Sequence, residues 1–586
     1  MTPENRNLIL AVTLSMAVLF GWQLMVIQPE MEREQAQQAL LAEQQAAKKG
    51  LDTKQDVGTP MVVASSGVQA TPGAGGQNDL STDTAKRITI DAPLVQGSFS
   101  LQGARIDDIV LTGYRETLDT ASANISFLQK TSSQSPFFAE FGWASSDASQ
   151  PMPNAQTLWA SNSDLLSPSS PVSLRWDNGK GLIFTRKISI NDDYLITYDD
   201  SVASSLDGAI TMYPYGLVRR QGTPSMSGLY ILHEGPLGVF DETLDEQDYS
   251  DLKDAPIGGI KIETAEAGGW IGITDKYWLA ALLPSQQNKF TFSFQSLPGK
   301  VDRYQADYID NSGRILAAGG AVSTQGRLFA GAKKVALLDH YKDELDIPNF
   351  DLAIDFGWFY FLTKPFFYAI NWLFQLFGNF GVAVLAFTVV VKLAFFPLAN
   401  KSYRSMAKMR ILTPKLQLLR ERFGDDRMKL NQEMMALYKA EKVNPAAGCL
   451  PVLLQIPVFF ALYKVLFVTI EMRHAPFFGW IADLSAPDPT SIFNVFGLLP
   501  YSVDFLPPFL QLGLWPIFMG VSMFFQMRLN PAPPDPIQAK IFQWMPVFFT
   551  FLLATFPAGL VIYWTWNNLL SMAQQWYIMK QVAKSS

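Results

Sequence analysis

Hydrophobic and polar positions divide this 586-residue chain into regions of different periodicity. From about Arg87 to Leu337, short runs alternate apolar and polar residues, as in LIFTRKISI and YLITYDD on either side of the turn residues 191–193. Alternation with a period of two predicts β-strands that bury one face. We therefore predict a large antiparallel β-sandwich at 86–345.

Continuous apolar runs, long enough to enter a bilayer, lie near both ends of the chain. Leu8–Ile27 follows Arg6 and precedes no small-residue cleavage site, which predicts an uncleaved signal-anchor helix at 1–27. Five further runs follow the β-region: Phe380–Leu398, Cys449–Ile470, Leu512–Met527, Ile541–Phe556 and Leu560–Ile578. Together they predict six transmembrane helices and a polytopic α-helical membrane protein.

Three segments connect these regions. Residues 28–85 are polar and rich in Gly, Ser and Thr, which is typical of a flexible linker. The aromatic segment within 346–379 contains a Lys-Pro pair and predicts an amphipathic helix in the membrane interface. Residues 400–447 predict a charged helical hairpin, whose second helix has Asp425 or Asp426 as its N-cap.

The charge distribution sets an orientation for these spans. Residues 28–350 hold 26 Lys and Arg against 40 Asp and Glu, whereas 400–447 hold 11 against 5. The basic hairpin and the Lys and Arg residues after the fourth and last spans fall on the side of Arg6. Basic loops stay in the cytoplasm, so both termini are predicted to be cytoplasmic. The sandwich is then predicted to lie on the opposite side of the membrane.

Several kinds of chemistry lack their sequence signatures. The single cysteine, Cys449, excludes an intramolecular disulfide, and three scattered histidines lack metal-ligand spacing. The sequence has neither a G-x-x-x-x-G-K-[ST] phosphate loop nor a G-x-S-x-G elbow. The hairpin charges interleave with Met, Leu and Tyr, which favours contact with lipid headgroups or a ribosome over specific nucleic-acid binding. We expect no enzyme activity, metal or cofactor.

The apolar run Phe380–Leu398 carries one lysine, Lys392, near its middle. A charge at bilayer depth costs about 2.5 to 3.5 kcal/mol on insertion scales, which favours a water-filled or polar-lined recess. Thr388 lies one turn earlier on the same face. The alternative is that the lysine snorkels to the cytoplasmic headgroups. A catalytic Ser–Lys dyad is a weaker hypothesis for this lysine, because no serine lies in this run or obviously opposite it, and Ser571 is a distant candidate.

Other spans carry polar and aromatic residues at helical spacing. In the last run these are Trp564, Asn567, Asn568, Ser571 and Gln575, and in the third span they are Gln455, Phe459 and Tyr463. With Thr388 and Lys392 they predict a common recess. Alternatively, each amide makes an interhelical hydrogen bond worth about 0.6 to 2 kcal/mol in a packed bundle.

The order of parts, together with the segments GWFYFLTKPFF, KVNPAAGCLP and FPAGLVIYWTWNNLLSMAQQ, resembles the YidC membrane-protein insertases of Gram-negative bacteria, in the YidC/Oxa/Alb insertase family. The resemblance covers essentially the whole chain and includes GGWIGITDKYW in the β-region. It implies an inner-membrane protein with a periplasmic β-domain and a five-helix core at 380–586. That core would enclose a hydrophilic groove, open to the cytoplasm and the lipid but closed on the periplasmic side.

The resemblance also implies a binding site. In the family, a basic residue of the first core span attracts the hydrophilic part of a nascent membrane protein. Here that position is Lys392, where the family usually has arginine, so the charge is kept but the bidentate fork is lost. By motif position, the substrate-binding groove comprises Lys392, Thr388, Gln455, Ile456, Phe459, Tyr563 and Trp564.

The implied function is insertion and folding of nascent integral membrane proteins, alone or with the Sec translocon. Implied partners are nascent membrane proteins, membrane lipids, the Sec translocon, and a ribosome or the signal recognition particle receptor at the hairpin. Two other classes stay open: a transporter with a midplane lysine site, and an intramembrane Ser/Lys protease.

Overall fold

The computed structural model of the chain describes the following residues: 85–226, 232–254, 261–265, 268–297, 299, 301–423, 426–441, 443, 450–499, 503, 506–507, 510–529 and 536–585. The predicted signal anchor at 1–27 and the predicted linker, apart from its last residue, lie outside these ranges.

Within the described part of the chain, residues 87–332 form twenty strands. The first ten are β1 (Arg87–Asp91), β2 (Val95–Ser100), β3 (Ile106–Arg115), β4 (Asn124–Leu128), β5 (Phe137–Ser145), β6 (Ala160–Ser161), β7 (Leu165–Leu166), β8 (Val172–Asp177), β9 (Leu182–Ile190) and β10 (Leu195–Ser204). The second ten are β11 (Ile210–Gln221), β12 (Gly235–Phe240), β13 (Thr243–Glu246), β14 (Lys261–Ala265), β15 (Trp270–Thr274), β16 (Trp278–Leu283), β17 (Phe290–Leu297), β18 (Arg303–Asp310), β19 (Arg314–Leu316) and β20 (Ala321–Ala332).

These strands form two sheets. The eleven-stranded sheet has the order β14-β17-β18-β11-β5-β3-β2-β1-β7, with β19 beside β11 and β4 beside β3. The nine-stranded sheet has the order β13-β12-β15-β16-β20-β10-β9-β8-β6. Neighbouring strands pair antiparallel, as in β9 with β10 and β10 with β20, whereas β1 and β7 pair parallel. The antiparallel pairing predicted from the period-two pattern is confirmed for these strands.

The core of the β-region lies between the two sheets. The Phe141 ring of β5 lies 4.1 Å from the Tyr198 ring of β10, centroid to centroid. An ion pair is buried beside them: the Arg186 guanidinium donates to Asp200 at 2.8 and 2.7 Å and to the Phe141 carbonyl at 2.7 Å. A buried charge is tolerated only when its hydrogen bonds are made, and here the guanidinium has both a carboxylate and a carbonyl.

The described helices follow in chain order. They are α1 (Tyr249–Asp254), α2 (Val335–Glu344), α3 (Tyr360–Phe377), α4 (Phe380–Ala394), α5 (Phe396–Phe423), α6 (Arg427–Ala440), α7 (Leu450–Val468), α8 (Leu514–Leu529), α9 (Pro536–Leu552) and α10 (Ala558–Ser585). Short 3₁₀ turns occupy Phe350–Ala353, Ile470–Met472, Ile492–Gly497 and Leu553–Thr555.

The prediction of one continuous helix over Phe380–Leu398 is wrong at its C-terminal end. Helix α4 ends at Ala394, and α5 begins at Phe396 in a direction bent by 69°. Phe395, between them, has φ −87° and ψ 1°. Pro397 explains the break, because it has no N–H to donate to the Leu393 carbonyl four residues earlier and its ring clashes with that carbonyl.

The length of the helices bears on the predicted spans. Among the described residues, no single helix is both long and apolar enough to cross a membrane. The bent pair Phe380–Ala394 and Phe396–Leu412 meets that standard when both parts are taken together.

Helices α5 and α6 form the predicted hairpin. The Asp426 side chain accepts hydrogen bonds from the backbone N–H groups of Met428 at 3.1 Å and Lys429 at 3.0 Å. Asp426 is therefore the N-cap of α6, which confirms one of the two predicted positions. The hairpin packs through a small apolar cluster of Leu412, Met434, Tyr438 and Val443.

Helix α3 is the helix within the predicted interfacial segment. The Lys364 ammonium fixes it to the end of the β-region, with contacts of 2.6 Å to Asp339 and 2.5 Å to Asp351. Although burial opposes ionisation of Asp351, hydrogen bonds from Lys364 and its neighbours lower the pKa of that carboxyl to about 2. Phe361 and Trp372 remain exposed on α3, at 72% and 63%.

A second contact joins the β-region to the segment after α7. The Glu471 carboxylate accepts a hydrogen bond of 3.1 Å from the backbone N–H of Val335, the first residue of α2. The Arg473 guanidinium donates to the carbonyl of the last residue of β3 at 2.6 Å. We call this pair of contacts, made by Glu471 and Arg473, the junction.

Candidate functional site

Lys392 lies in the last turn of α4. Its ammonium donates a hydrogen bond of 2.8 Å to Ser571 Oγ on α10. The helix break at Phe395 contributes to this arrangement, because it creates a helix C-terminus beside the lysine. A cation at that end interacts favourably with the helix dipole, by about 0.3 to 1 kcal/mol at exposed sites.

A small cavity adjoins this lysine. Its volume is about 30 Å³, which is room for about two water molecules. We call it the Lys392 cavity, and its lining residues are Val391, Lys392, Phe395, Leu398, Ala399, Tyr403, Gln455 and Gln574. It is thus formed by residues of α4, α5, α7 and α10.

Two predicted groove residues of α7 contact two of α10. Gln455 Nε2 donates to the Tyr563 hydroxyl, and Tyr563 is 1% exposed. The Phe459 ring stacks on Trp564, with 4.4 Å between centroids and 28° between planes. Ile456, also on α7, is 44% exposed. Gln455 therefore links Tyr563 to the Lys392 cavity.

Thr388 is placed differently from Lys392. It is 2% exposed, and its hydroxyl donates to the Val384 carbonyl in its own helix at 2.7 Å. This bond to the residue four positions earlier satisfies the hydroxyl within the helix. The structure therefore places Thr388 in the packed part of α4, one turn from the cavity.

The polar face predicted for α10 is mostly buried. Asn567, Asn568, Ser571 and Gln575 are each 5% exposed or less. Asn568 Nδ2 donates to Ser522 Oγ on α8 at 3.0 Å, and Gln575 Nε2 donates to the Leu529 carbonyl at 3.1 Å. These two amides make interhelical bonds, as in the alternative considered from the sequence.

Sequence reasoning missed two residues of the cavity. Ser571, which the sequence offered only as a distant candidate, makes the hydrogen bond with Lys392. Gln574, rather than the predicted Gln575, lines the cavity, and its position three residues after Ser571 is a helical spacing that could have identified it. Tyr403 was missed because it follows the unpredicted bend of α5.

The chemistry available to this site is that of hydrogen-bond donation. The lysine donates to Ser571, and Gln574 Nε2 is buried with no hydrogen-bond partner within the described part of the chain. Such groups interact with carboxylates, carbonyls and water. Among the described residues, no group of three or more His, Cys, Asp and Glu side chains is arranged to hold a metal ion.

Comparisons with known proteins show which family has this architecture. Residues 87–369 match the family model described as YidC periplasmic domain, and 372–585 match the model described as 60Kd inner membrane protein. "Membrane protein insertase YidC" of Methylobacterium nodulans is 49% identical over 592 residues, covering 99% of this chain and 95% of that relative. This chain belongs to the YidC family of membrane protein insertases. The protein of the same name from Nitrobacter hamburgensis is 50% identical over 597 residues, covering 99% and 96%.

A solved structure titled "Active YidC insertase crystal structure with the first transmembrane domain resolved" is 18% identical, with a TM-score of 0.34, over 84% of this chain and 93% of that chain. For this YidC-family chain, the family matches identify the β-rich part as a periplasmic domain and the helical part as an inner-membrane region.

Proposed function

We propose that this chain inserts nascent membrane proteins into the inner membrane and helps them to fold. The observation that carries the proposal is a lysine ammonium held beside two glutamines at a small cavity between helices, in a chain about half identical to proteins named membrane protein insertase. The polar part of a substrate would bind at the Lys392 cavity while its apolar part enters the lipid.

The energetics of such a step are reasonable. On insertion scales, each Leu or Ile gains about 0.3 to 0.6 kcal/mol at the centre of a bilayer-spanning helix, which supplies the driving force. The membrane potential adds about 2.3 kcal/mol per charge per 100 mV and favours outward transfer of acidic segments. The protein therefore has only to lower the barrier for the polar segment, and this requires no bond-making chemistry.

The other predicted groove residues lie on α7 and α10, next to Gln455 and its contacts. In this proposal Ile456, Phe459 and Trp564 form an apolar and aromatic track beside the Lys392 cavity, along which the apolar part of the substrate passes. Gln455 and the buried Tyr563, which are hydrogen-bonded to each other, hold the two helices of that track together. The stack of Phe459 on Trp564 and the exposure of Ile456 support this assignment. Thr388 contributes through packing behind Lys392.

We also propose the topology and partners that the family membership implies. Six spans, including the anchor at 1–27 and five in 380–586, would place both termini in the cytoplasm. The hairpin at 400–447 would contact a ribosome or the signal recognition particle receptor, and the exposed aromatic residues of α3 would contact lipid. The Sec translocon would act beside the protein on larger substrates.

The proposal is tested by depletion and complementation. Cells depleted of the protein receive the wild type, Lys392→Ala, Lys392→Arg or the control Lys401→Ala, which removes an exposed basic side chain of α5. Insertion of a membrane protein with a short periplasmic loop is measured by protease accessibility. We expect the wild type, the arginine variant and the control to restore insertion, and the alanine variant to fail. Normal insertion after depletion would refute the function, and full activity of Lys392→Ala would refute the role of the charge.

The contact of Lys392 with Ser571 also fits a second candidate, an intramembrane Ser–Lys hydrolase. The hydrogen bonds favour the insertase, because Ser571 donates its own proton to the Asn567 carbonyl at 2.7 Å while the lysine acts as donor rather than base. A serine-directed acylating probe distinguishes the two. Labelling of Ser571 that depends on Lys392 would support the hydrolase, and absence of labelling would exclude this dyad.

A further inference from the structure

Ser571 has a hydrogen-bonding geometry that determines where the lysine points. A serine hydroxyl has one proton and two lone pairs. The proton is donated to the Asn567 carbonyl at 2.7 Å, one turn earlier in α10. The remaining lone pairs are therefore available to a donor, and the Lys392 ammonium occupies one of them at 2.8 Å.

This bond restrains a side chain that would otherwise have many rotamers. Fixing a lysine side chain costs conformational entropy. A hydrogen bond made by a charged group is among the stronger ones in proteins, and it offsets that cost. The ammonium is thus held between α4 and α10 at the cavity, and does not extend along α5 towards headgroups.

The cavity then contains two sets of donors that point to one kind of ligand. The ammonium has three N–H groups, of which one is donated to Ser571, and within the described residues it has no second hydrogen-bond partner. Gln574, one turn after Ser571 on α10, has a buried Nε2 without a partner in the same part of the chain. Two adjacent donor groups fit a carboxylate or a pair of backbone carbonyls.

We propose that Ser571 is a positioning residue that holds the Lys392 ammonium towards the cavity, and that Gln574 supplies a second donor to the same acidic or carbonyl-rich segment of the substrate. The inference rests on the proposed insertase function and adds to it the residues of α10 that orient the charge. Ser571 acts through Lys392, whereas Gln574 contacts the substrate directly.

The test compares two reporter membrane proteins that differ only in the translocated segment, one containing Asp and the other Asn at the same positions. Insertion rates are measured with Ser571→Ala, Ser571→Thr and Gln574→Leu. The matched control is Ser522→Ala, because Ser522 is also buried, also donates to a carbonyl of its own helix and lies on α8. Ser571→Ala is also combined with Lys392→Ala.

We expect Ser571→Ala to slow insertion of the acidic reporter about tenfold, the equivalent of one charge-assisted hydrogen bond. The insertion rate of the Asn reporter falls much less. Ser571→Thr keeps the wild-type rate, because threonine retains the hydroxyl. In the Lys392→Ala background, Ser571→Ala causes no further loss of rate. Gln574→Leu also slows insertion of the acidic reporter more than that of the Asn reporter. The control Ser522→Ala affects both reporters to the same extent.

Three outcomes would overturn the inference: equal losses for both reporters, no rescue by threonine, or additive losses in the double variant. If Lys392→Ala impairs insertion and Ser571→Ala does not, the proposed function survives and the positioning role fails. If Lys392→Ala and depletion both leave insertion unchanged, the proposed function itself fails.

Discussion

Glu471 offers a quantitative test of how the β-region is held to the helical region. Its Oε1 atom accepts a hydrogen bond from the first backbone N–H of α2, while Oε2 is buried without a partner within the described part of the chain. The N-cap residue of α2, Lys334, makes no side-chain cap. Glu471 therefore caps α2 from a position 136 residues later in the chain.

Burial raises the pKa of Glu471 from 4.5 to about 7, against the opposing hydrogen bond from Val335 and the charge of Lys334. Tyr114 also faces this carboxyl. The shift corresponds to about 3 kcal/mol. Because the folded protein holds the proton more tightly, this contribution is fully present below pH 4.5 and is lost as the pH rises through 7.

The perturbation is Glu471→Gln, which keeps the acceptor oxygen but cannot ionise. Full-length protein in detergent is heated at pH 5 and pH 8, and unfolding is followed by tryptophan fluorescence. At pH 8 we expect the apparent midpoint temperature of unfolding to be about 5 °C or more higher in the variant than in the wild type. At pH 5 we expect the two midpoint temperatures to be equal. Asp343→Asn, an exposed acid on α2, is the control.

Comparison with the wild type is needed because other groups titrate in the same range. Burial raises the pKa of Asp307 in β18 to about 6, so some pH dependence remains in every variant. The difference between wild type and Glu471→Gln isolates the junction. An identical pH dependence in both proteins, or a variant less stable than the wild type at pH 8, would refute the reasoning.

Three further substitutions test the packing. Asp426→Ala should lower the stability of the hairpin by about 1 kcal/mol through loss of the N-cap, seen as faster hydrogen exchange in the first turn of α6, and unchanged exchange would contradict this. Gly520→Ala should lower the apparent unfolding temperature, because a Cβ there would lie 1.9 Å from Thr550 Oγ1; Thr550→Ala should restore it. Asp200→Asn should cost about 3 to 5 kcal/mol in urea unfolding because Arg186 stays buried. Joint replacement of both residues by apolar side chains should recover most of that loss.

The sequence predicted those features that depend on neighbouring residues. Strands β9 and β10 follow from the alternation of their side chains around a short polar turn, and β10 pairs with β9 as expected. The N-cap of α6 follows from an acidic residue placed before an amphipathic helix. In both cases the determining interactions span only a few residues.

Features that depend on tertiary contact were predicted less well. The bond between Lys392 and Ser571 joins residues 179 positions apart, and its geometry depends on how α4 and α10 pack. Helical spacing placed Ser571 on a polar face, but could not distinguish Gln574 at the cavity from Gln575 in an interhelical bond. The position of Pro397 could have indicated the helix break, but the continuous apolar run that contains it was interpreted as a single helix.

The break at Phe395 is a point about which α5 can rotate relative to α4. From that pivot, α5 extends about 42 Å to Phe423, while Tyr403 at the cavity lies only about 12 Å from the pivot. Movement of α5 about the pivot is smaller at Tyr403 than at Phe423 by the ratio of these distances, about 3.5-fold. Pro414 lies between the two residues and allows α5 to bend, so a movement of about 3 Å at the hairpin would move Tyr403 by at most about 1 Å. In a cavity that holds about two waters, that displacement is comparable to the radius of a water molecule. Displacement of the hairpin would thereby change the width of the Lys392 cavity without any contact at the cavity itself.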